Sequence, residues 1–243
     1  MPHLIREGVR LEFEECGAGE AVILHHALTS DRSAWQANGV AQTLSATGFR
    51  CVLVDAVGHG DSEDAQDTAR SSLAARVADV IAIADRLSIS RFGFVGYSMG
   101  AWVGTGLLAK HPMRISHLVL AGWDPLEGAR LFTDRVNEQE RRREFLELAG
   151  LLTADAPVSA RRLSGYADTY MELFRNVPAF PIRAKDVERI LLACGIEDPY
   201  FENAKRAASM SGAKFQPLAG DHLQAFRSPD LARIICSWLS DEP

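Results

Sequence analysis

The chain has 243 residues, of which 47% are apolar and 24% are charged. These proportions are typical of soluble globular proteins and exclude disordered, collagen-like and disulfide-scaffold classes. The 26 Lys and Arg residues against 32 Asp and Glu residues give a net charge of −6. That balance argues against nucleic-acid binding, which needs a basic surface to displace counterions from phosphates. The length alone is compatible with one α/β domain or with two smaller domains.

The N-terminal segment and the cysteines favour a cytoplasmic protein without membrane association. No apolar run near Met1 is long enough for a signal peptide or a membrane helix. The cysteines are widely separated, form no CxxC pair, and lie at Cys16, Cys51, Cys194 and Cys236. We therefore expect reduced thiols in a reducing compartment, and one disulfide remains compatible with the sequence.

Short apolar runs predict the strands. The first, at 11–14, alternates between apolar and charged residues, as a half-exposed edge strand does. Continuous aliphatic runs, which suit parallel strands covered on both faces, follow at 21–24, 51–54, 92–95, 118–121 and 190–193.

Helical patterns separate these runs. In 70–87, apolar residues recur at steps of three and four and make one apolar face. The segment 229–240 begins with Pro229, a favoured first residue of a helix, and also carries an apolar face. Alternating strands and helices with short connections predict a doubly wound, mostly parallel α/β sheet.

One long segment, 125–182, carries no strand signal, and its patterns at 136–152 and 159–176 are helical. The segment lies between the strand at 118–121 and the strand at 190–193, and it is too short to be an independent domain. We expect a small helical cap at 125–182, with 1–124 and 183–243 forming the core.

The strongest local motif is Gly96-Tyr97-Ser98-Met99-Gly100, directly after the strand at 92–95. A G-x-S-x-G sequence between a strand and a helix is a nucleophile elbow, a sharp turn that exposes the serine above the sheet. Glycines permit the crowded backbone of the turn, and the following helix N-terminus favours developing negative charge. The motif predicts that Ser98 is a nucleophile.

A serine nucleophile needs a base, and His222 is the best placed of the seven histidines. It follows the apolar run at 215–218 and precedes the terminal helix. The acid is expected between Ser98 and His222 in the chain, because the order Ser, acid, His is typical of this elbow.

Asp198 is the favoured acid, since it directly follows the strand at 190–194 and leaves the same edge of the sheet as the elbow. The chain from Asp198 to His222 has room for one helix and one strand. Asp124, after the preceding strand, is the rival, and the weaker alternatives are Glu197 and Asp221.

In these features the chain resembles the α/β-hydrolase superfamily, in its serine-nucleophile branch. The features that carry the resemblance are His26-Ala27-Leu28 followed by Trp35, the stretch Asp55-Ala56-Val57-Gly58-His59-Gly60-Asp61-Ser62, the elbow at Ser98, and Asp198 with His222. They span nearly the whole chain and are specific for the superfamily, but they say little about the substrate.

The resemblance also implies an oxyanion hole. In this family the turn after the third strand usually reads His-Gly-x, and the amide of x lies in the hole. Trp35 aligns His26 with the family histidine, so Leu28 supplies this amide, paired with the amide of Met99. Ala27 replaces the usual glycine and adds a methyl group without removing a donor. The residues expected to contact the substrate are His26, Ala27, Tyr97 and Trp123.

The implied activity is hydrolysis of a small or medium carboxylic ester or lactone through an acyl-enzyme, as in the small bacterial carboxylesterases and enol-lactonases that the chain resembles. Serine at the elbow argues against dehalogenase and epoxide hydrolase chemistry, for which this family uses aspartate. The alternatives are a cofactor-free lyase or perhydrolase and a hydrolase-like ligand receptor. We expect no nucleotide cofactor and no metal, because no Gly-rich phosphate loop occurs and the adjacent His25 and His26 do not make a ligand set. The oligomeric state, monomer or homodimer, is not indicated.

Overall fold

A computed structural model of the chain describes residues 2–65, 67–132, 137–155, 158–177, 180 and 184–241. Within these residues, eight strands form one sheet. The strands are β1 (His3–Arg6), β2 (Val9–Gly17), β3 (Glu20–His25), β4 (Phe49–Val54), β5 (Phe92–Tyr97), β6 (Ile115–Ala121), β7 (Ile190–Gly195) and β8 (Lys214–Leu218). They lie side by side in the order β1-β2-β4-β3-β5-β6-β7-β8.

The sheet is mostly parallel. The strand pairs from β4 through β8 are all parallel, whereas β1 pairs with β2, and β2 with β4, in antiparallel fashion. The predicted doubly wound, mostly parallel sheet is therefore confirmed. Pro217 lies in β8, an edge strand, where the missing N–H interrupts no ladder between two neighbours.

The first strand of the sheet differs from the sequence-based expectation. The predicted edge strand at 11–14 forms part of β2, which lies inside the sheet because β1 covers its outer side. Leu11 and Phe13 are almost completely buried as a result. The β1 strand has only four residues, two of them exposed, so it lacks the apolar run that marks a buried strand.

Nine α-helices connect the strands of the described chain. They are α1 (Ala34–Ala37), α2 (Val40–Ala46), α3 (Leu73–Arg86), α4 (Met99–Lys110), α5 (Glu138–Leu152), α6 (Ala160–Arg175), α7 (Phe201–Ser211), α8 (His222–Arg227) and α9 (Pro229–Ser240). The helices predicted at 70–87 and 229–240 correspond to α3 and α9. Three short helices, α1, α2 and α8, have too few turns to show a periodic apolar pattern in the sequence.

The two faces of the sheet carry separate apolar cores. On one face, α3, α4 and α7 cover the strands, with Trp102 of α4 fully buried. On the other face, α1, α2 and α9 cover them, with Trp35 of α1 fully buried. Because helices cover both faces, the loops at the carboxyl ends of the parallel strands are the natural place for a site.

Two helices, α5 and α6, lie in the predicted cap, close to the helical patterns at 136–152 and 159–176. Phe145 of α5 stacks on Tyr170 of α6, with ring centroids 4.2 Å apart. Within the predicted cap, residues 133–136, 156, 157, 178, 179, 181 and 182 lie outside the described residues. The division of the chain into core and cap stays a prediction.

Arg162 joins α6 to the loop that follows β4. Its guanidinium donates hydrogen bonds to the carbonyl oxygens of Gly60 at 2.6 Å and Ser62 at 2.9 Å, and to the carboxylate of Asp64 at 2.7 Å. Its planar guanidinium presents several donors in a fixed geometry, and here they bond three acceptors of one loop. Arg162 is therefore a main contact between α6 and this loop, together with Arg161, which donates to Ala65 O, and the ring of Tyr166, which lies against His59.

We predict that Arg162→Ala lowers the free energy of unfolding by about 1–3 kcal/mol, because charge-assisted hydrogen bonds to two carbonyls and a carboxylate are lost. Backbone hydrogen exchange in α6 should also increase. The control is Arg143→Ala, which removes an exposed arginine whose nearest carboxylate oxygen lies 3.9 Å away and should change stability by less than about 0.5 kcal/mol. Equal denaturation midpoints for the two variants would contradict the role of Arg162.

Candidate active site

Ser98 is the single residue between the end of β5 and the start of α4. Its backbone has φ 55° and ψ −111°, a left-handed conformation that non-glycine residues rarely adopt. Backbone hydrogen bonds hold it there: Ser98 N donates to Ala121 O of β6 at 2.8 Å, and Trp102 N donates to Ser98 O at 3.0 Å. The predicted elbow geometry is thus present, and the Ser98 side chain is half-buried.

The two glycines of the motif are required by close backbone contacts. A Cβ atom on Gly96 would lie 2.2 Å from the carbonyl carbon of Gly100. A Cβ atom on Gly100 would lie 2.1 Å from the carbonyl oxygen of His25 at the end of β3. Only glycines allow α4 to start this close to β5 and β3.

His222 and Asp198 form a hydrogen-bonded pair near the carboxyl ends of β7 and β8. The Nδ1 atom of His222 lies 2.6 Å from Oδ2 of Asp198. The Asp198 side chain is completely buried, and that of His222 is 29% exposed. A carboxylate only accepts hydrogen bonds, so Nδ1 carries the proton and Nε2 is the nitrogen that can accept one. The second carboxylate oxygen of Asp198 accepts from Tyr200 N at 3.0 Å.

Asp124, the rival acid, makes different contacts. Its Oδ1 atom accepts hydrogen bonds from Leu126 N at 2.8 Å and Glu127 N at 3.2 Å, and its Oδ2 atom accepts from Asn203 at 2.8 Å. Burial raises the pKa of Asp124, while these donors partly offset the effect. One oxygen therefore stabilises the turn after β6, the other bonds Asn203 of α7, and no hydrogen bond to His222 is found among the described residues.

The two weaker alternatives are exposed. Glu197 lies in the turn after β7, and the Asp221 side chain caps α8 by accepting from Leu223 N and Gln224 N. Of the four acids considered from the sequence, Asp198 is the one that the structure brings to the His222 ring.

His222 is held in place by Tyr97 and Gly122. The Tyr97 hydroxyl donates to the backbone oxygen of His222 at 2.6 Å, and burial raises the pKa of Tyr97, so the donor stays protonated. Gly122, at φ 59°, lies beneath both rings: a Cβ atom there would be 2.8 Å from Tyr97 and 3.1 Å from His222. Among the described residues no hydrogen bond joins Ser98 Oγ to His222.

The two backbone amides predicted to form an oxyanion hole are those of Met99 and Leu28. Met99 N is the first amide of α4, which has no acceptor within its helix, and Leu28 N lies in the turn after β3. Neither amide hydrogen-bonds to another group of the described chain. Both are thus available to an incoming negative oxygen, although their use by a substrate stays a prediction.

His26 shapes this turn from within. It is completely buried; its Nδ1 atom donates to Ala27 O at 2.7 Å, and its Nε2 atom accepts from Ala56 N at 3.1 Å. Burial lowers the pKa of His26, which favours the neutral ring that these bonds need. With both ring nitrogens bonded to backbone, His26 braces the turn, whereas Ala27 is half-buried.

The remaining predicted pocket residues, Tyr97 and Trp123, are each 1% exposed. Tyr97 contacts His222 as described above, and the Trp123 ring packs 5.5 Å from the ring of Tyr200. Both side chains are buried against protein groups, and their contact with substrate stays a prediction.

Sequence reasoning missed three neighbours of the Asp198–His222 pair. Gly122 and Tyr200 contact it as described, and the buried Cys194 lies near the end of β7, four residues before Asp198. Burial, followed by the charge of Asp198, raises the pKa of Cys194, so this thiol is neutral. A Gly after a buried strand and a Tyr two residues after an acid were visible signals, but nothing in the sequence tied them to His222.

A search of the described residues finds no group of three His, Cys, Asp or Glu side chains arranged to hold a metal ion. In the same part of the chain, no helix has the length and apolar character needed to cross a membrane.

The family model described as alpha/beta hydrolase fold matches residues 20–228. The chain belongs to the α/β-hydrolase fold family. Among curated relatives, a Bacillus subtilis protein provisionally named 2-succinyl-6-hydroxy-2,4-cyclohexadiene-1-carboxylate synthase is 26% identical over 188 residues, covering 76% of this chain and 62% of that protein. A 2-hydroxy-6-oxononadienedioate/2-hydroxy-6-oxononatrienedioate hydrolase of Paraburkholderia xenovorans is 33% identical over 124 residues, covering 49% of this chain and 42% of that protein.

Among solved structures, the enol-lactonase from Burkholderia xenovorans superposes with a TM-score of 0.75, covering 99% of this chain and 100% of that chain at 21% identity. An identity this low establishes the shared fold and not a shared substrate. The alignments span less than two thirds of the length of the curated relatives named above. Family membership and fold are therefore established for this α/β-hydrolase, and its reaction is argued from the site.

We predict that Gly122→Ala destabilises the protein by about 1–3 kcal/mol, because alanine is strained at this φ and its methyl group would press on Tyr97 and His222. The matched control is Gly150→Ala in α5, where an added Cβ meets no atom within 4 Å; it should stabilise the helix by about 0.5–1 kcal/mol. Chemical denaturation measures both changes. A Gly122→Ala protein as stable as the parent would show that the space beneath His222 is not tight.

Proposed function

We propose that this α/β-hydrolase is a serine hydrolase that cleaves a small or medium carboxylic ester or lactone through an acyl-enzyme intermediate. The observation that carries the proposal is the buried Asp198 carboxylate bonded to His222 Nδ1 beside a strained Ser98 elbow. This combination leaves His222 Nε2 as a proton acceptor at the edge of the sheet where Ser98 is presented.

In the proposed reaction, Ser98 Oγ attacks the substrate carbonyl while His222 Nε2 accepts its proton. Asp198 holds the imidazole in the required tautomer and stabilises the imidazolium that forms. His222 then protonates the leaving oxygen, and water cleaves the acyl-enzyme with the same base. Ser98 and His222 share no hydrogen bond in the described chain, and bonds of this kind often tighten only in the complex with substrate.

The amides of Leu28 and Met99 would stabilise the tetrahedral oxyanion. Both are unbonded in the described chain, and Met99 N adds the partial positive charge of the α4 N-terminus. Each such donor is typically worth about 3–4 kcal/mol of transition-state stabilisation. The Ala27 side chain, beside this turn, would narrow the acyl pocket without removing a donor.

The size of the substrate follows from the segment between β6 and β7. This segment is short, and its helix α6 is bonded to the core by Arg162 and by the contact of Tyr166 with His59, whose ring centroids are 4.6 Å apart. A covering held this closely leaves little room for a long acyl chain. This supports a small or medium acyl group, and the enol-lactonase that shares the fold is a compatible precedent.

We predict that Ser98→Ala lowers kcat/KM by roughly 10⁴-fold or more on any substrate that the parent turns over, because the covalent step is lost. The panel contains p-nitrophenyl acetate, butyrate and octanoate, a five-membered lactone and styrene oxide. The expected order is acetate or butyrate above octanoate, no epoxide opening, and a trapped acyl group on Ser98 by mass spectrometry. The control is Ser90→Ala, in an exposed turn. Parent-like turnover of an ester by Ser98→Ala would refute the serine mechanism.

A second prediction separates the two buried acids. Asp198→Asn should lower kcat by roughly 10³- to 10⁴-fold, because the amide cannot hold His222 in the required tautomer. Asp124→Asn removes a carboxylate of similar burial that does not contact His222, and kcat should stay within about tenfold of the parent. Circular dichroism of both variants controls for folding, and a larger loss for Asp124→Asn would reverse the assignment.

One observation favours a second candidate, a cofactor-free lyase or perhydrolase that uses the same three residues as acid–base groups. The curated relative that aligns with 76% of this chain is provisionally named a synthase. Two results together would favour this candidate: a fluorophosphonate labels Ser98, and the protein turns over none of the esters and lactones. Analysis of the products of its own substrate would then identify the bond that breaks. A hydrolase-like receptor would show the label but no turnover.

A further inference from the structure

Two cysteines far apart in the sequence face each other across neighbouring strands. Cys16 of β2 and Cys51 of β4 are directly paired in the antiparallel register. Directly opposite residues of an antiparallel pair point to the same face of the sheet, and both side chains pack in the same apolar core. Both thiols are free in this structure.

The hydroxyl of Ser45, on α2, reaches both sulfurs. Ser45 Oγ donates to Cys16 Sγ at 3.2 Å and lies 3.9 Å from Cys51 Sγ. Opposite residues of antiparallel strands have Cα atoms about 4.5–5.5 Å apart. Disulfides accept Cα separations of about 4.4–6.8 Å, so a bond between these sulfurs needs side-chain rotation and little backbone movement.

The two thiols differ in their access to solvent. Cys16 is half-buried, whereas Cys51 is completely buried. Burial, and then the neighbouring Cys16, raises the pKa of the Cys51 thiol to about 12. An oxidant in solution therefore reaches Cys16 first, and the buried Cys51 reacts in the second step.

We propose that Cys16 and Cys51 are a reversible disulfide site, closed by hydroperoxides and opened by dithiols. The Cys16 thiolate attacks a peroxide oxygen, the O–O bond breaks, and Cys16 becomes a sulfenic acid. The Cys51 sulfur then attacks the Cys16 sulfur, forming the S–S bond and releasing water. In total, two thiols and one hydrogen peroxide give one disulfide and two waters, and the two electrons reduce the peroxide.

The bond would join β2 to β4 away from the proposed catalytic groups. Cys51 is the third residue of β4, three residues before the carboxyl end of the strand, whereas Ser98 follows the carboxyl end of β5. Closing the intervening chain restricts the unfolded state, so the oxidised protein should melt roughly 5–10 °C higher. The readouts are covalent mass and melting temperature, so they are independent of whether the proposed hydrolase reaction is correct.

The test treats the folded full-length protein with a small excess of hydrogen peroxide, then alkylates and digests it without reduction. We expect a mass loss of 2 Da, a linked peptide pair containing Cys16 and Cys51, and loss of two of the four thiols. Dithiothreitol should restore both thiols and the original melting temperature. A Cys16 sulfinic acid without a linked peptide, or a link between two copies of the chain, would overturn the proposal.

Variants sharpen the test. Cys16→Ser and Cys51→Ala should each abolish the mass loss and the rise in melting temperature. Cys236→Ser removes the other half-buried thiol, which donates to Thr47 Oγ1 at 3.4 Å, and should leave both effects intact. Ser45→Ala should slow the loss of the Cys16 thiol by roughly three- to tenfold, because one hydrogen bond to the reacting sulfur is removed. A linked peptide that persists in Cys16→Ser would assign the disulfide to other cysteines and overturn the proposal.

Discussion

The backbone of Ser98 imposes the constraint on which the rest of the site depends. At φ 55° the residue reverses the chain between β5 and α4 within one position. That reversal costs about 1–3 kcal/mol for a residue with a side chain, and the surrounding packing must hold it. Gly96 and Gly100 let β5, α4 and β3 approach to contact distance, and the hydrogen bond from Ser98 N to Ala121 O fixes the turn to β6. The buried helix α4 thus secures the strained turn.

Parallel strands bring the other groups to the same edge. Because β5, β6 and β7 all point the same way, the residues that follow them, Ser98, Gly122 and Asp198, leave the sheet side by side. His222, the first residue of α8 after β8, lies over Gly122, where a Cβ atom would be only 3.1 Å from its ring. A separation of 24 residues in the chain becomes one hydrogen bond to Asp198 in the fold. The order of the strands in the sheet therefore assembles the site, and few local sequence motifs reveal that order.

This dependence explains what the sequence could and could not predict. The elbow and the central strands were predictable, because glycine spacing and continuous apolar runs are local signals with one structural solution. Chain order and the edge of the sheet favoured Asp198 but kept Asp124 as a rival, because both acids follow a strand at that edge; the hydrogen bond to His222 separates them. The roles of Gly122 and Tyr200 depend on register between distant strands and so left no local pattern. Strand β1 was missed because it is short and half-exposed, and because it becomes part of the sheet only by pairing with β2.

A column of rings connects the helix α6 to the turn that carries Leu28. Tyr166 of α6 lies 4.6 Å from the ring of His59, which lies 4.9 Å from the ring of His26, whose Nδ1 atom holds the Ala27 carbonyl. Burial lowers the pKa of both histidines, and a charge on either would face its neighbour and the buried guanidinium of Arg76. The column therefore requires neutral imidazoles. Because α6 is also bonded to the loop after β4, the helix proposed to limit substrate size is connected, through these ring contacts, to the turn that carries a proposed oxyanion donor.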